Sequence, residues 1–168
     1  GNSRPASGAE HHLVHLWDME VVNGHLDALH GEKVSAGTML VLLEYKKIAD
    51  AIRKGNCKVH TCTEEDRELL QSTFGKKGIL GAIEKENTPE LLDDVSTKEL
   101  SDTLPGILKI IDELPEDTDM QDMMNTAGCV SRVRDIGLPG ELIEESLRLA
   151  PYTRRRLSLL RLRKMLTY

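Results

Sequence analysis

Apolar residues recur at helical spacing through most of the chain. The clearest stretch runs from Thr103 to Ile136. There Leu104, Ile107, Leu108, Ile111 and Leu114 fall on one helix face. Thr103 is placed to cap this helix, and Pro105 sits in the first turn, where its missing N–H costs nothing. Pro115 stops it. Thr118-x-x-Gln121 has the form of a capping box for a second helix carrying Met120, Met123 and Met124. Gly128 permits a close turn, and Val130, Val133 and Ile136 start a third stripe that Gly137 and Pro139 end. The other segments read as helices covering this stretch.

Leu13 to Val22 fits two patterns. Leu13, His15, Trp17, Met19 and Val21 alternate as in a strand, whereas Leu13, Leu16, Trp17 and Val21 share a helix face. With no partner strand visible in the sequence, the helix is preferred. Asn23-Gly24 breaks it, and His25 to His30 is a short apolar turn ended by Gly31. Thr38 to Lys54 is the longest predicted helix, with Leu42, Tyr45, Ile48, Ala49 and Ile52 as its buried stripe. Shorter helices are expected from Thr63, around Ile79 to Ile83, after Pro89 and after Gly140. Ser96-x-x-Glu99 is a further capping box. Pro151 opens a last, basic helix running to Tyr168. The expected fold is therefore all-α, a compact bundle of eight or more short helices. Residues 1–10 are expected to be a disordered arm. Residues 11–168 are expected to be a single helical domain ending in a basic C-terminal helix.

Composition narrows this picture. Aromatics make up only 3% of the 168 residues, so the core must be aliphatic, and a base-stacking surface is disfavoured. The net charge of −6 is moderate, but its distribution is polarised. Acidic residues crowd the stretch from Glu84 to Asp122. None follows Glu145, where Arg148, Arg154, Arg155, Arg156, Arg161, Arg163 and Lys164 lie. Three cysteines without a leader peptide point to reduced thiols and an intracellular setting, nuclear or cytoplasmic. No apolar run approaches the roughly 18 residues of a membrane span.

Candidate chemistry is sparse. Cys57-x-x-His60-x-Cys62, with His11, His12 and His15 upstream, offers soft ligands of the kind zinc takes, but the spacing matches no known finger. A polar loop with incidental thiols explains it as well, and no metal site is expected. Gly75-Lys76-Lys77-Gly78 has the residue types of a phosphate cradle but reads better as a basic turn. Asp93-Asp94 and Asp112-Glu113 read as solvated helix faces. The chain has no nucleophile elbow, P-loop or dinucleotide fingerprint, so no catalytic residue and no cofactor are expected.

Two features suggest partners instead. The methionines at 120, 123 and 124 suit core filling first and an adaptable groove second, and the arginines from 154 onward suit phosphates or an acidic partner as well as they suit bridges to the acidic central region of the same chain. The segment from Leu108 to Gly137 resembles the helical-bundle interaction domains of transcription elongation proteins. These are the N-terminal domain of TFIIS and the integrase-binding domain of LEDGF. The matching residues are Leu108, Ile111, Leu114-Pro115, Met120, Thr126 to Gly128, and Val130-x-x-Val133-Arg134, while that family's following basic run is replaced by Asp135-Ile136-Gly137. The resemblance implies a non-enzymatic docking module that takes short, disordered motifs of another protein in a hydrophobic groove. The expected partner-binding residues are Met120, Met123, Met124, Val130, Arg132, Val133 and Arg134. The alternative is a nucleic-acid-binding or assembly protein (viral or chromatin-associated) that uses Arg154, Arg155, Arg156, Arg161, Arg163 and Lys164 on RNA or DNA. A homodimer fits either reading.

Overall fold

The computed structural model describes residues 8–62 and 66–168. The chain is all-α. Among the described residues there are seven α-helices of at least seven residues: α1 (Ala9–Asp18), α2 (His30–Arg53), α3 (Arg67–Phe74), α4 (Leu80–Glu86), α5 (Thr97–Asp112), α6 (Asp117–Ala127) and α7 (Ile143–Leu149). A single turn, α8 (Leu159–Leu162), follows, and short 3-10 turns join the rest. That is one full helix fewer than the minimum expected. Strands β1 (Lys58–Val59) and β2 (Leu166–Thr167) form an antiparallel pair, Lys58 opposite Thr167 and Val59 opposite Leu166. No strand pair was expected, because two residues are too few to show a period of two.

The long helix α2 is the axle, rather than the stretch from Thr103 to Ile136. It packs on α1, α5, α6 and the 3-10 turn Val133–Ile136. It begins eight residues before the expected Thr38 because Glu32 reaches back. The Leu29 N–H donates to Glu32 Oε1 at 2.8 Å, which satisfies a backbone donor at the helix entry. Gly31 is therefore inside the helix, not its stop.

α5 fuses two expected elements. Ser96 Oγ accepts from the Glu99 N–H at 3.3 Å, so the capping box at Ser96 starts the helix and Thr103 lies within it. Pro105 is tolerated mid-helix. The far end of α5 is closed by Lys46, whose Nζ donates to the Ile111 and Leu114 carbonyls, each at 3.3 Å. The expected box at Thr118 does not form. α6 starts two residues earlier, with Glu116 as its cap, and Gln121 Nε2 donates to Asn125 Oδ1 and Ser131 Oγ instead. Gly128 and Gly137 adopt φ of +71° and +87°, which explains glycine at both stops.

The core joins α1, α2, α5 and α7 to the chain's last residues. Trp17, Leu13, Leu16, Tyr45, Ile48, Phe74, Ile111, Leu147, Leu149 and Leu160 are all fully buried in it. Of the expected disordered arm, residues 1–7 lie outside the described residues, whereas Ala9 and Glu10 already belong to α1. The expected start at Thr63 also lies outside them.

The basic C-terminal helix is absent. In its place come a 3-10 turn (Ala150–Thr153), an extended strap from Arg154 to Ser158, the single turn α8, and β2. The cause is burial. Arg161 is 0% exposed, and its guanidinium binds Pro151 O and Arg154 O at 2.7 and 3.2 Å. Those carbonyls would otherwise accept helical hydrogen bonds. No helix among the described residues is long and apolar enough to cross a membrane.

Candidate functional site

α1 presents a run of imidazoles. His11 and His15, four residues apart, share one exposed face, and the intervening His12 is buried. His30 opens α2 beside them. The strap from Arg154 to Arg156 crosses opposite. Together His11, His12, His15, Asp18, His30, Glu86 and the three arginines line a cleft of about 540 Å³. Its walls are distant in sequence: α1 and the start of α2, Glu86, and the strap at residues 154–156.

The floor of this cleft is tightly defined. Gly8 caps α1 with φ +86°, and a Cβ there would lie 3.3 Å from Arg156 Nη1. The positive φ favours glycine there, and a side chain would make the Arg156 guanidinium shift by a few tenths of an ångström. Arg155 is fixed sideways: its N–H donates to Glu86 Oε1 at 3.3 Å and its Nη1 donates to Pro89 O at 2.5 Å. Asp18 is engaged by Lys33 at 2.7 Å, which leaves the cleft's charge dominated by cations.

His12 reports this environment. It is 5% exposed, and its Nδ1 has no hydrogen-bond partner among the described residues. Burial lowers its pKa to about 4, with help from Arg156, Arg154, Arg161 and His11. The pKa is thus below the 6.5 of an unfolded histidine, so the unfolded chain binds the extra proton between those values. Stability should therefore fall as the pH drops from about 6.5 towards 4. Urea midpoints at pH 7 and pH 5 measure this, and His12→Gln should flatten the difference. An equal slope in the variant would assign the acid sensitivity elsewhere.

The expected partner-binding residues do not form one exposed surface. Met123 is 56% exposed, but Met124 is buried, with its sulfur 3.8 Å from Ser35 Oγ. Val130 and Val133 are half-buried against the core, and Ser35 Oγ donates to the Val130 carbonyl. Arg132 and Arg134 are exposed and Met120 is half-buried.

The basic set divides in two. Arg154, Arg155 and Arg156 face out at the cleft. Arg161 is internal. Arg163 is committed to Glu44 at 3.4 Å, Glu144 at 2.9 Å and Tyr168 Oη at 2.6 Å. Lys164 donates to Tyr152 Oη and lies 3.6 Å from Asp66 Oδ2. These three cations hold the fold together and are not displayed for phosphates of a nucleic acid.

Cys57 and Cys62 are half-buried, and burial pushes both thiols up, away from the thiolate a metal would need. Among the described residues no group of three or more His, Cys, Asp or Glu side chains is placed to hold a metal ion. Gly75-Lys76-Lys77 is an exposed 3-10 turn closed by Gly78 at φ +70°. Sequence reasoning noticed His11, His12 and His15 but paired them with the cysteines, and it missed His30, Asp18, Glu86 and Gly8. The available signal was the i, i+4 pair His11 and His15, which puts two imidazoles on one helix face.

No known protein-family profile and no solved structure matches the chain. Curated relatives do. The chain is similar to glycerol-1-phosphate dehydrogenases. It is 33% identical over 161 residues to the glycerol-1-phosphate dehydrogenase (NAD(P)+) of Halalkalibacterium halodurans, covering 95% of this chain and 32% of that protein. It is 26% identical over 149 residues to the protein of that name from Geobacillus stearothermophilus, covering 88% of this chain and 30% of the relative. The Bacillus subtilis protein of the same name is 43% identical over 74 residues, 44% of this chain and 18% of its own length. The chain thus spans about a third of the length of the first two relatives.

These relatives overturn the expected resemblance to the TFIIS and LEDGF domains. They carry the name of a dehydrogenase, not of a docking module, so the non-enzymatic reading, its protein-motif partner and its place in transcription or chromatin are corrected. The nucleic-acid alternative fares no better: the relatives' names do not support it, and half of its residues are spent inside the fold. The short apolar rhythm from Leu108 to Gly137 arose from ordinary core stripes, with Ile111 and Ile136 buried.

Proposed function

We propose that this chain is the substrate-binding helical part of an NAD(P)-linked dehydrogenase acting on glycerol 1-phosphate or a similar small phosphorylated alcohol. One observation carries the reading. The cleft gathers four histidines and three arginines in a chain that aligns over 95% of its length with part of such an enzyme.

The chemistry suits that substrate. A phosphate group carries close to two charges near neutral pH and accepts from planar guanidinium forks. Arg154 and Arg156 supply those forks. Across the cleft, His11, His15 and His30 are the side chains able to hydrogen-bond an alcohol and accept its proton as the carbinol is oxidised. His12 is unsuited to that work, because its depressed pKa keeps it neutral and a poor base. Nothing among the described residues fits a dinucleotide: no βα unit opens on a glycine-rich turn, and Gly75 to Gly78 is a single exposed turn. The cleft's part is therefore confined to the phosphate and hydroxyl ends of the substrate.

The test is a titration of the chain with glycerol 1-phosphate, followed by the histidine ring resonances and by calorimetry. His11, His15 and His30 should shift together. The double variant Arg154→Ala, Arg156→Ala should weaken binding by roughly 100-fold, as expected when two charge-assisted contacts are lost. Resonances that stay fixed at saturating ligand would end the reading.

A further inference from the structure

Arg154, Arg155 and Arg156 sit on a strap with no helix or strand of its own. Its backbone is held from inside. Arg161 Nη2 donates to Asn87 Oδ1 at 2.5 Å, to Pro151 O at 2.7 Å and to Arg154 O at 3.2 Å, while Nη1 donates to Glu90 Oε1 at 3.1 Å. Asn87 completes the clamp: its Nδ2 donates to Tyr152 O and to Ile83 O, both at 2.8 Å. The carbonyls of residues 151, 152 and 154 are thus all captured by one guanidinium and one amide. With those groups drawn inward, the side chains of Arg154 to Arg156 are left at the cleft.

Arg161 is 0% exposed, and two of the four acceptors around its terminal nitrogens are the Pro151 and Arg154 carbonyls, so the guanidinium and the backbone leading into the strap fix each other. A buried charge also needs a counter-ion, and Glu90 provides it from the segment that follows α4. The planar fork matters here, because an ammonium has no rigid set of donors to span two carbonyls and an amide at once.

We propose that Arg161, with Asn87, is the positioning residue of the anion site. It fixes the backbone from Pro151 to Arg154 so that Arg154 and Arg156 meet a phosphate in the histidine cleft. This rests on the reading of that cleft as phosphate-binding. Arg161 itself touches no substrate.

The experiment compares the wild-type chain with Arg161→Lys, which keeps the charge and loses the fork, and with Asn87→Ala, which keeps Arg161 and frees the Tyr152 carbonyl. Circular dichroism checks folding. Calorimetry measures the affinity for inorganic phosphate, and NMR follows the His12 ring through a pH titration. Folded Arg161→Lys should bind phosphate roughly tenfold more weakly, the loss expected from a misplaced charge-assisted hydrogen bond. Its His12 pKa should rise towards the ordinary value as Arg154 and Arg156 withdraw, an effect that uniform destabilisation of the fold would not produce. Asn87→Ala should move both readouts the same way, and decides the matter if Arg161→Lys does not fold. Folded variants with wild-type phosphate affinity and an unmoved His12 would make the clamp structural only and overturn the proposal. Wild-type chain that binds no phosphate would overturn both the proposal and the reading of the cleft.

Discussion

Replacing Arg161 by methionine should destabilise the chain by roughly 3–5 kcal/mol, the cost of breaking a buried ion pair from one side. Methionine fills most of the volume, so the loss is polar rather than steric. It leaves Asn87 Oδ1 and the Pro151 and Arg154 carbonyls without their donor, and Glu90 without its counter-ion. The adjoining Tyr152 ring loses a cation 5.7 Å from its centre. Urea unfolding followed by the fluorescence of Trp17, the chain's one tryptophan, gives the number. A change below about 1 kcal/mol, the scale of a surface ion pair, would show that Arg161 is not the keystone the geometry makes it.

Trp17→Ala is expected to cost about 3–5 kcal/mol, the range for deleting a large buried aromatic. Trp17 is 1% exposed where α1 meets α7, and its Nε1 donates to Ser146 Oγ at 3.0 Å. Ser146 keeps its own bond to the Leu142 carbonyl, so the main loss is packing. Since α1 also carries His11, His12 and His15, the cavity should loosen the cleft as well as the core. Circular dichroism in urea replaces the lost fluorescence. Trp17→Phe should lose only about 1 kcal/mol beyond its small volume change, the net worth of one hydrogen bond. Equal losses in the two variants would place the importance of Trp17 in its N–H rather than in its volume.

The sequence carried the helical class well, because helical spacing is a local property. Leu42, Tyr45, Ile48, Ala49 and Ile52 were readable as one stripe; the first four are buried and Ile52 is half-buried. Gly128 was readable as a turn and Gly137 as a stop, and both adopt positive φ. Boundaries went wrong wherever two local signals competed. Ser96 and Thr103 both offered caps to one helix, and Gly31 looked like a stop because the reach of Glu32 back to Leu29 does not show in composition. The cleft was half legible. His11, His12 and His15 stood out, but their partners Arg154 to Arg156 lie far along the chain, and sequence distance hides that meeting. For the C-terminal arginines, display to phosphates and pairing within the chain were equally readable, because the sequence does not tell which arginine turns inward. Only the folded chain shows Arg161 at 0% exposure with four acceptors around it.

The cleft's walls, residues 8–30, Glu86 and residues 154–156, are brought together only by contacts distant in sequence. A chain in which residues 154–156 have not reached residues 8–30 has one wall and no site. An anion that bridges the walls therefore binds the finished fold and nothing earlier, and by mass action it adds stability to that fold alone, about 2.7 kcal/mol at a hundred times its Kd. The cellular supply of such a ligand would then set the survival of the protein as well as its occupancy. Molecules deprived of it would be left to proteolysis first.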